Sequence, residues 1–135
     1  MRAVLDPNVL IASLLSRSGA PARIVSRWLA GEFELVVSEA LLAELARALA
    51  YPKIRERIAE DEASAFVGLL RQTVRLAPDP DAPARRSADP GADYLLALAE
   101  AERAVLVSGD QHLLALAGEL PIFTPRAFLD RLAQP

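Results

Sequence analysis

Short apolar runs that stop abruptly at polar residues recur along this chain, separated by longer stretches with helical spacing, and that alternation admits few folds. RAVLD at 2–6 breaks at Asp6-Pro7-Asn8, FELVVS spans 33–38, AVLVSGD spans 104–110 and PIFT spans 121–124. Each reads as a short strand, and TVRLA at 73–77 alternates as a further strand should. Between them, helices are predicted over Val9–Leu15, Ala22–Ala30, Ser38 to about Ala50, Ile54–Arg71, Pro90 to about Arg103, 112–120 and Pro125–Leu132. Strands alternating with helices imply a parallel sheet covered on both faces. The expected class is α/β, a three-layer α/β/α arrangement around a central, mostly parallel sheet of four to five strands.

The punctuation supports these boundaries. Pro7 can begin a helix but cannot continue a central strand. SRSGAP at 16–21 reads as a loop, and Gly31 closes the second helix. Ser38 is an N-cap candidate with Glu39 in the first turn, and Leu41, Leu42, Leu45 and Leu49 form the apolar stripe that follows. Tyr51-Pro52 ends that helix, and the next stretch has a break expected near Asp61 or Glu62. Residues 78–91, PDPDAPARRSADPG, form a polar, proline-rich loop expected to be the most mobile segment. Asp89-Pro90 at its end is a helix start, with Asp as cap and Pro at the first helical position. At 135 residues the chain is expected to be one domain, 1–135.

Composition excludes several classes. Hydrophobic residues make up 53% and charged residues 24%, which argues against disorder. No apolar run approaches the roughly 20 residues that cross a bilayer, and no secretory signal pattern opens the chain. Zero cysteines rule out disulfides and thiolate metal sites and fit a cytoplasmic protein. The 15 basic and 18 acidic residues give −3, so the whole chain lacks the charge signature of a nucleic-acid binder. Four acids gathered at one site would account for more than that deficit. Fourteen of the basic residues are Arg, which suits bidentate phosphate contacts, although a general compositional bias explains the same usage.

Four acids stand out because each is embedded in apolar sequence: Asp6 in VLDPNVLIA, Glu44 in VVSEALLAEL, Asp93 in DPGADYLLALA and Asp110 in VLVSGDQHLL. A carboxylate beside a core is costly without a partner, a metal ion or a catalytic task. In open parallel sheets ligands bind outside the carboxyl ends of the strands. Asp6 and Asp110 close strands there, and Glu44 lies in the helix after the second strand. Asp93 opens the helix that leads into a later strand, and because that helix runs antiparallel to the strand its start is expected away from the other acids. Plainer roles exist for three of them: a helix cap for Asp110, and solvated helix positions for Glu44 and Asp93. The lone His112 cannot make a zinc site by itself and is read as covering the short helix around it.

In the order Asp6-x-Asn8-Val9, Ser38 with Glu44, Asp93 in DYLLALA and Gly109-Asp110, these residues resemble the motifs of the PIN domain family. Within it the chain is similar to the toxin-type, VapC-like ribonucleases of prokaryotic toxin-antitoxin pairs, over nearly its whole length. The resemblance implies a metal-dependent endoribonuclease in which Asp6, Glu44, Asp93 and Asp110 hold Mg²⁺ or Mn²⁺ and hydrolyse RNA phosphodiester bonds with a metal-activated water. It further implies that Asp93 does reach the cluster, that Asn8 and Ser38 of the matched motifs support it, and that the partners are RNA, a cognate antitoxin and a second copy of the chain; Ser108 and Asp89 are further supporting candidates by their places beside Asp110 and at the helix start. Arg85 and Arg86 are the candidate RNA contacts. The chain departs from the pattern at Pro7, where Thr or Ser is usual, and at Gly91-Ala92, where acids often stand. A catalytically weak PIN-like scaffold is one alternative. A haloacid-dehalogenase-like phosphohydrolase is another, but it wants Asp-x-Asp where this chain has Asn8, and a lysine between motifs where it has only Lys53.

Overall fold

The computed structural model describes residues 1–81 and 90–134. Four strands form one sheet: β1 Arg2–Leu5, β2 Glu34–Leu35, β3 Val105–Val107 and β4 Ile122–Phe123. Their order is β2-β1-β3-β4 and every pairing is parallel, with Ala3 opposite both Leu35 and Val105, and Leu106 opposite Ile122. The helices are α1 Pro7–Leu15, α2 Ala20–Leu29, α3 Glu39–Leu49, α4 Pro52–Arg55, α5 Glu60–Thr73, α6 Asp93–Ala101, α7 Gln111–Leu114 and α8 Pro125–Leu132. This is the expected α/β class, with a four-strand parallel sheet. Among the described residues no helix is long and apolar enough to cross a membrane.

The strand order decides where a site can form. From the adjacent pair β1 and β3, the chain steps outward to β2 on one side and to β4 on the other. Right-handed crossovers that leave in opposite directions place their helices on opposite faces of the sheet. A crevice therefore opens outside the carboxyl ends of β1 and β3, at the switch point. The backbone amide of Asp6 donates to the Val107 carbonyl at 2.9 Å, so the β1–β3 ladder runs right up to that edge.

Local signals account for most boundaries. Ser38 caps α3 by accepting from the Leu41 amide at 3.3 Å, and Leu41, Leu42, Leu45 and Leu49 are the buried face of that helix. Gly31 ends α2 with φ of 80°, a left-handed conformation that glycine adopts without steric cost. The core includes Leu5, Leu10, Ile24, Leu41, Leu45, Leu70, Leu95 and Phe128, all buried. Phe128 of α8 meets Phe33 edge to face, with ring centroids 5.1 Å apart at 88°.

Three expectations are corrected. TVRLA is not a strand: Thr73 still belongs to α5, and only an isolated bridge from Leu76 to Val37 forms. Pro78, which cannot donate to a ladder, stands next to the one bond made there, from the Ala77 amide to the Val37 carbonyl. The helical break falls at 56–59, ahead of Asp61 and Glu62, which sit in the first turn of α5. The helix after β3 is a single turn, α7, and does not run to 120.

Arg71 of α5 reaches Glu39 of α3, with Arg71 Nη1 donating to Glu39 Oε1 at 2.6 Å. That guanidinium lowers the Glu39 pKa below its ordinary 4.5. A depressed carboxylate contributes stability above the unfolded-state pKa and loses it as pH falls through the folded one. Both groups are exposed, so the effect is small. Melting temperatures of the wild type and Arg71→Ala should differ slightly at pH 7, and the difference should vanish below the ordinary glutamate range.

Candidate active site

Asp6 is the N-cap of α1, and Pro7 occupies the first helical position, where a missing amide hydrogen costs nothing. The residue is only 5% exposed, and its carboxylate is held at both oxygens. Oδ1 accepts from the Asn8 amide at 2.9 Å and Oδ2 accepts from the Ser108 hydroxyl at 2.8 Å. Ser108, fully buried at the end of β3, also receives the Asp110 amide on its Oγ at 3.0 Å. Asp110 in turn caps α7 by accepting from the His112 amide at 2.8 Å. One hydroxyl thus joins the loop after β1 to the loop after β3. Asp6 and Asp110 both do the capping work that a plainer reading assigns to such residues, and His112 is exposed.

Deleting the Ser108 hydroxyl removes a buried bond to a carboxylate. Ser108→Ala should therefore lower the free energy of unfolding by about 1–3 kcal/mol in urea titration.

Asp93 and Glu44 approach from two helices. Asp93 is the first residue of α6 and is 2% exposed. The expectation that it would start away from the site is overturned, because a helix antiparallel to the strand it precedes begins at that strand's carboxyl edge. Tyr94, one residue on, donates its hydroxyl to Glu44 Oε2 on α3. Burial, followed by the bond to Glu44 and the negative charge of Glu44 and of Asp6, holds the Tyr94 phenol well above its ordinary range, while Arg47 acts in the opposite sense. The phenol therefore stays a hydrogen-bond donor, and its bond to Glu44 ties the start of α6 to α3.

Ser38 caps α3 from the strand side and so fixes where Glu44 emerges. Asn8 contributes its backbone amide to Asp6, while its exposed side chain lines a cleft of about 360 Å³ together with Val9, Ala12, Pro21, Gly109, Asp110 and Pro125. Arg85, Arg86 and Asp89 lie outside the described residues. Reasoning from sequence missed Tyr94 and Arg47. Tyr94 reads as one more core residue in an apolar helix, but Arg47 stands three residues after Glu44, a spacing that shares a helix face. Arg47 is exposed and makes no ion pair among the described residues.

Among the described residues, no three acidic or histidine side chains are gathered closely enough to hold a metal ion. The donor chemistry nevertheless fits a hard dication: Asp6, Glu44, Asp93 and Asp110 offer only oxygen, and two of these carboxylates are almost fully buried. Such a donor set disfavours zinc and suits Mg²⁺ or Mn²⁺.

Among curated proteins no sequence match is found. Two crystal structures are similar in fold. PAE2754 from Pyrobaculum aerophilum aligns with a TM-score of 0.66 at 18% identity, covering 98% of this chain and 90% of its own. FitAcB from Neisseria gonorrhoeae aligns with a TM-score of 0.57 at 15% identity, covering 92% of this chain and 98% of its own. A family profile described as PIN domain matches residues 2–112, a span that takes in all four acids, and the chain belongs to the PIN domain family.

Proposed function

We propose that this chain is an endoribonuclease that uses Mg²⁺ or Mn²⁺, acting as the toxin of a toxin-antitoxin pair. The observation that carries the reading is that two acids, Asp6 at the end of β1 and Asp93 at the start of α6, are almost fully buried, while Ser108 links Asp6 to the Asp110 loop and Tyr94 links the start of α6 to Glu44. Membership of a family whose members are typically nucleases supports it. Asp6, Glu44, Asp93 and Asp110 would hold the cation, which when bound supplies positive charge against the scissile phosphate and lowers the pKa of water.

The protein's own residues do the rest. Ser108 orients Asp6, and α7, capped by Asp110, keeps that acid at the edge. Arg47, an exposed guanidinium three residues after Glu44 with no ion pair among the described residues, binds a phosphate of the incoming strand, and the cleft along Asn8 and Asp110 receives another part of it. In hydrolysis the oxygen of water bonds to phosphorus, the P–O ester bond breaks and the departing oxygen takes a proton. The antitoxin blocks the same edge, most economically by setting a basic side chain among the acids.

Incubation of the purified protein with a mixed pool of cellular RNA tests the reading. Cleavage in Mg²⁺ that chelation stops and added Mg²⁺ restores is the expected result. RNA left intact under those conditions contradicts it. A second reading, a PIN-like binding module without activity, is favoured by the capping bonds that already engage Asp6 and Asp110. A protein that binds RNA but neither cuts it nor takes up Mn²⁺ would establish that alternative.

A further inference from the structure

We propose that Tyr94 is the positioning residue for Glu44, its hydroxyl fixing the carboxylate that α3 presents to the cation. The inference rests on the nuclease reading above and adds to it a residue outside the four acids. Glu44 is half-buried on a helix surface, and a glutamate in that setting has three rotatable bonds and few packing constraints. Its contact with the Tyr94 hydroxyl occupies Oε2 and leaves Oε1 for other work.

Tyr94 is itself well anchored. It follows the buried Asp93 at the start of α6, whose Leu95, Leu96 and Leu98 are buried in the core. α6 also packs against β1, the strand that Asp6 closes. One turn of α6 thus brings a carboxylate and an oriented donor to the same edge. Phenylalanine at this position would keep the ring's packing and lose only the hydroxyl.

A glutamate side chain that is free before it binds must give up entropy worth about a tenfold change in affinity. Calorimetric titration of Mn²⁺ into the full chain should therefore show Tyr94→Phe binding about tenfold more weakly than the wild type. Cleavage turnover should fall by a similar factor while the KM for RNA is unchanged. In a Glu44→Gln background, adding Tyr94→Phe should weaken Mn²⁺ binding by less than about twofold, because the group being positioned has already lost its charge. A merely structural tyrosine would cost the same in both backgrounds. Wild-type uptake of Mn²⁺ that Tyr94→Phe leaves unchanged, or weakens equally with and without Glu44, overturns this inference alone. A wild type that takes up no Mn²⁺ overturns the nuclease reading and this inference together.

Discussion

Asp6→Asn should abolish RNA cleavage, lowering the rate by at least about a hundredfold, while leaving a folded protein. The substitution keeps the shape and removes the charge. Asparagine is as good an N-cap as aspartate, so the bond now made to the Asn8 amide at 2.9 Å survives. The amide group can also donate to Ser108 Oγ, which already accepts from the Asp110 amide and then turns its own hydrogen elsewhere. The negative charge at the end of β1 does not survive, and it is the charge that a dication requires. Burying a neutral amide in place of an almost fully buried carboxylate also relieves desolvation, so the melting temperature should stay level or rise slightly. Asp6→Ala is the informative contrast, because it deletes the cap and leaves the Ser108 hydroxyl without its acceptor. That variant should lose about 1–3 kcal/mol of stability as well as activity. Cleavage by Asp6→Asn at the wild-type rate would remove Asp6 from the site.

Phe128→Ala should have the largest effect on stability, about 3–5 kcal/mol by denaturant unfolding. Phe128 is fully buried on α8 and packs edge to face on Phe33 at 5.1 Å, with Phe123 of β4 at 6.5 Å. Its removal leaves a cavity bounded by the segment just before β2, by β4 and by α8, elements that carry none of the four acids. α8 also packs against α2, so the loss reaches that helix as well. A loss of that size is a large part of the stability of an ordinary domain. The prediction separates folding from chemistry: at temperatures where it is still folded, Phe128→Ala should retain the Mn²⁺ affinity of the wild type. A change in stability below about 1 kcal/mol would mean that α8 is not seated as described.

How far the fold could be read from the chain depended on whether its signals were local. The cap at Ser38, the leucine stripe of α3, the glycine that ends α2 and the apolar runs of β1 and β3 are set by neighbours in sequence, and the structure reproduces them. TVRLA failed because alternation describes a strand's faces but not whether an edge is free to pair. With Thr73 claimed by α5 and Pro78 following, one bridge is all that fits. For Asp93 the geometric argument and the family resemblance point opposite ways, and the geometric one fails for a different reason. The direction of a helix relative to its strand was applied correctly, but the edge at which it starts was taken as the wrong one. Tyr94 is invisible in the sequence because its meaning lies in a contact between α6 and α3, fifty residues apart in the chain, whereas the spacing of Arg47 from Glu44 within α3 was there to be read. The acids themselves were legible as carboxylates out of place in apolar sequence. Asp110 offers its double use, as cap and as candidate ligand, in the sequence itself, and that of Asp6 emerges only from the hydrogen bonds.

The central claim is that this acidic edge takes up a hard dication, and equilibrium calorimetry with Mn²⁺ tests it most directly, with circular dichroism verifying that each protein is folded. The account predicts saturable binding to the wild type, weakened at least about tenfold in Asp6→Asn and in Asp93→Asn and unchanged in Phe128→Ala. Binding of equal strength in the wild type and both aspartate variants, or no binding to the wild type at all, would contradict it.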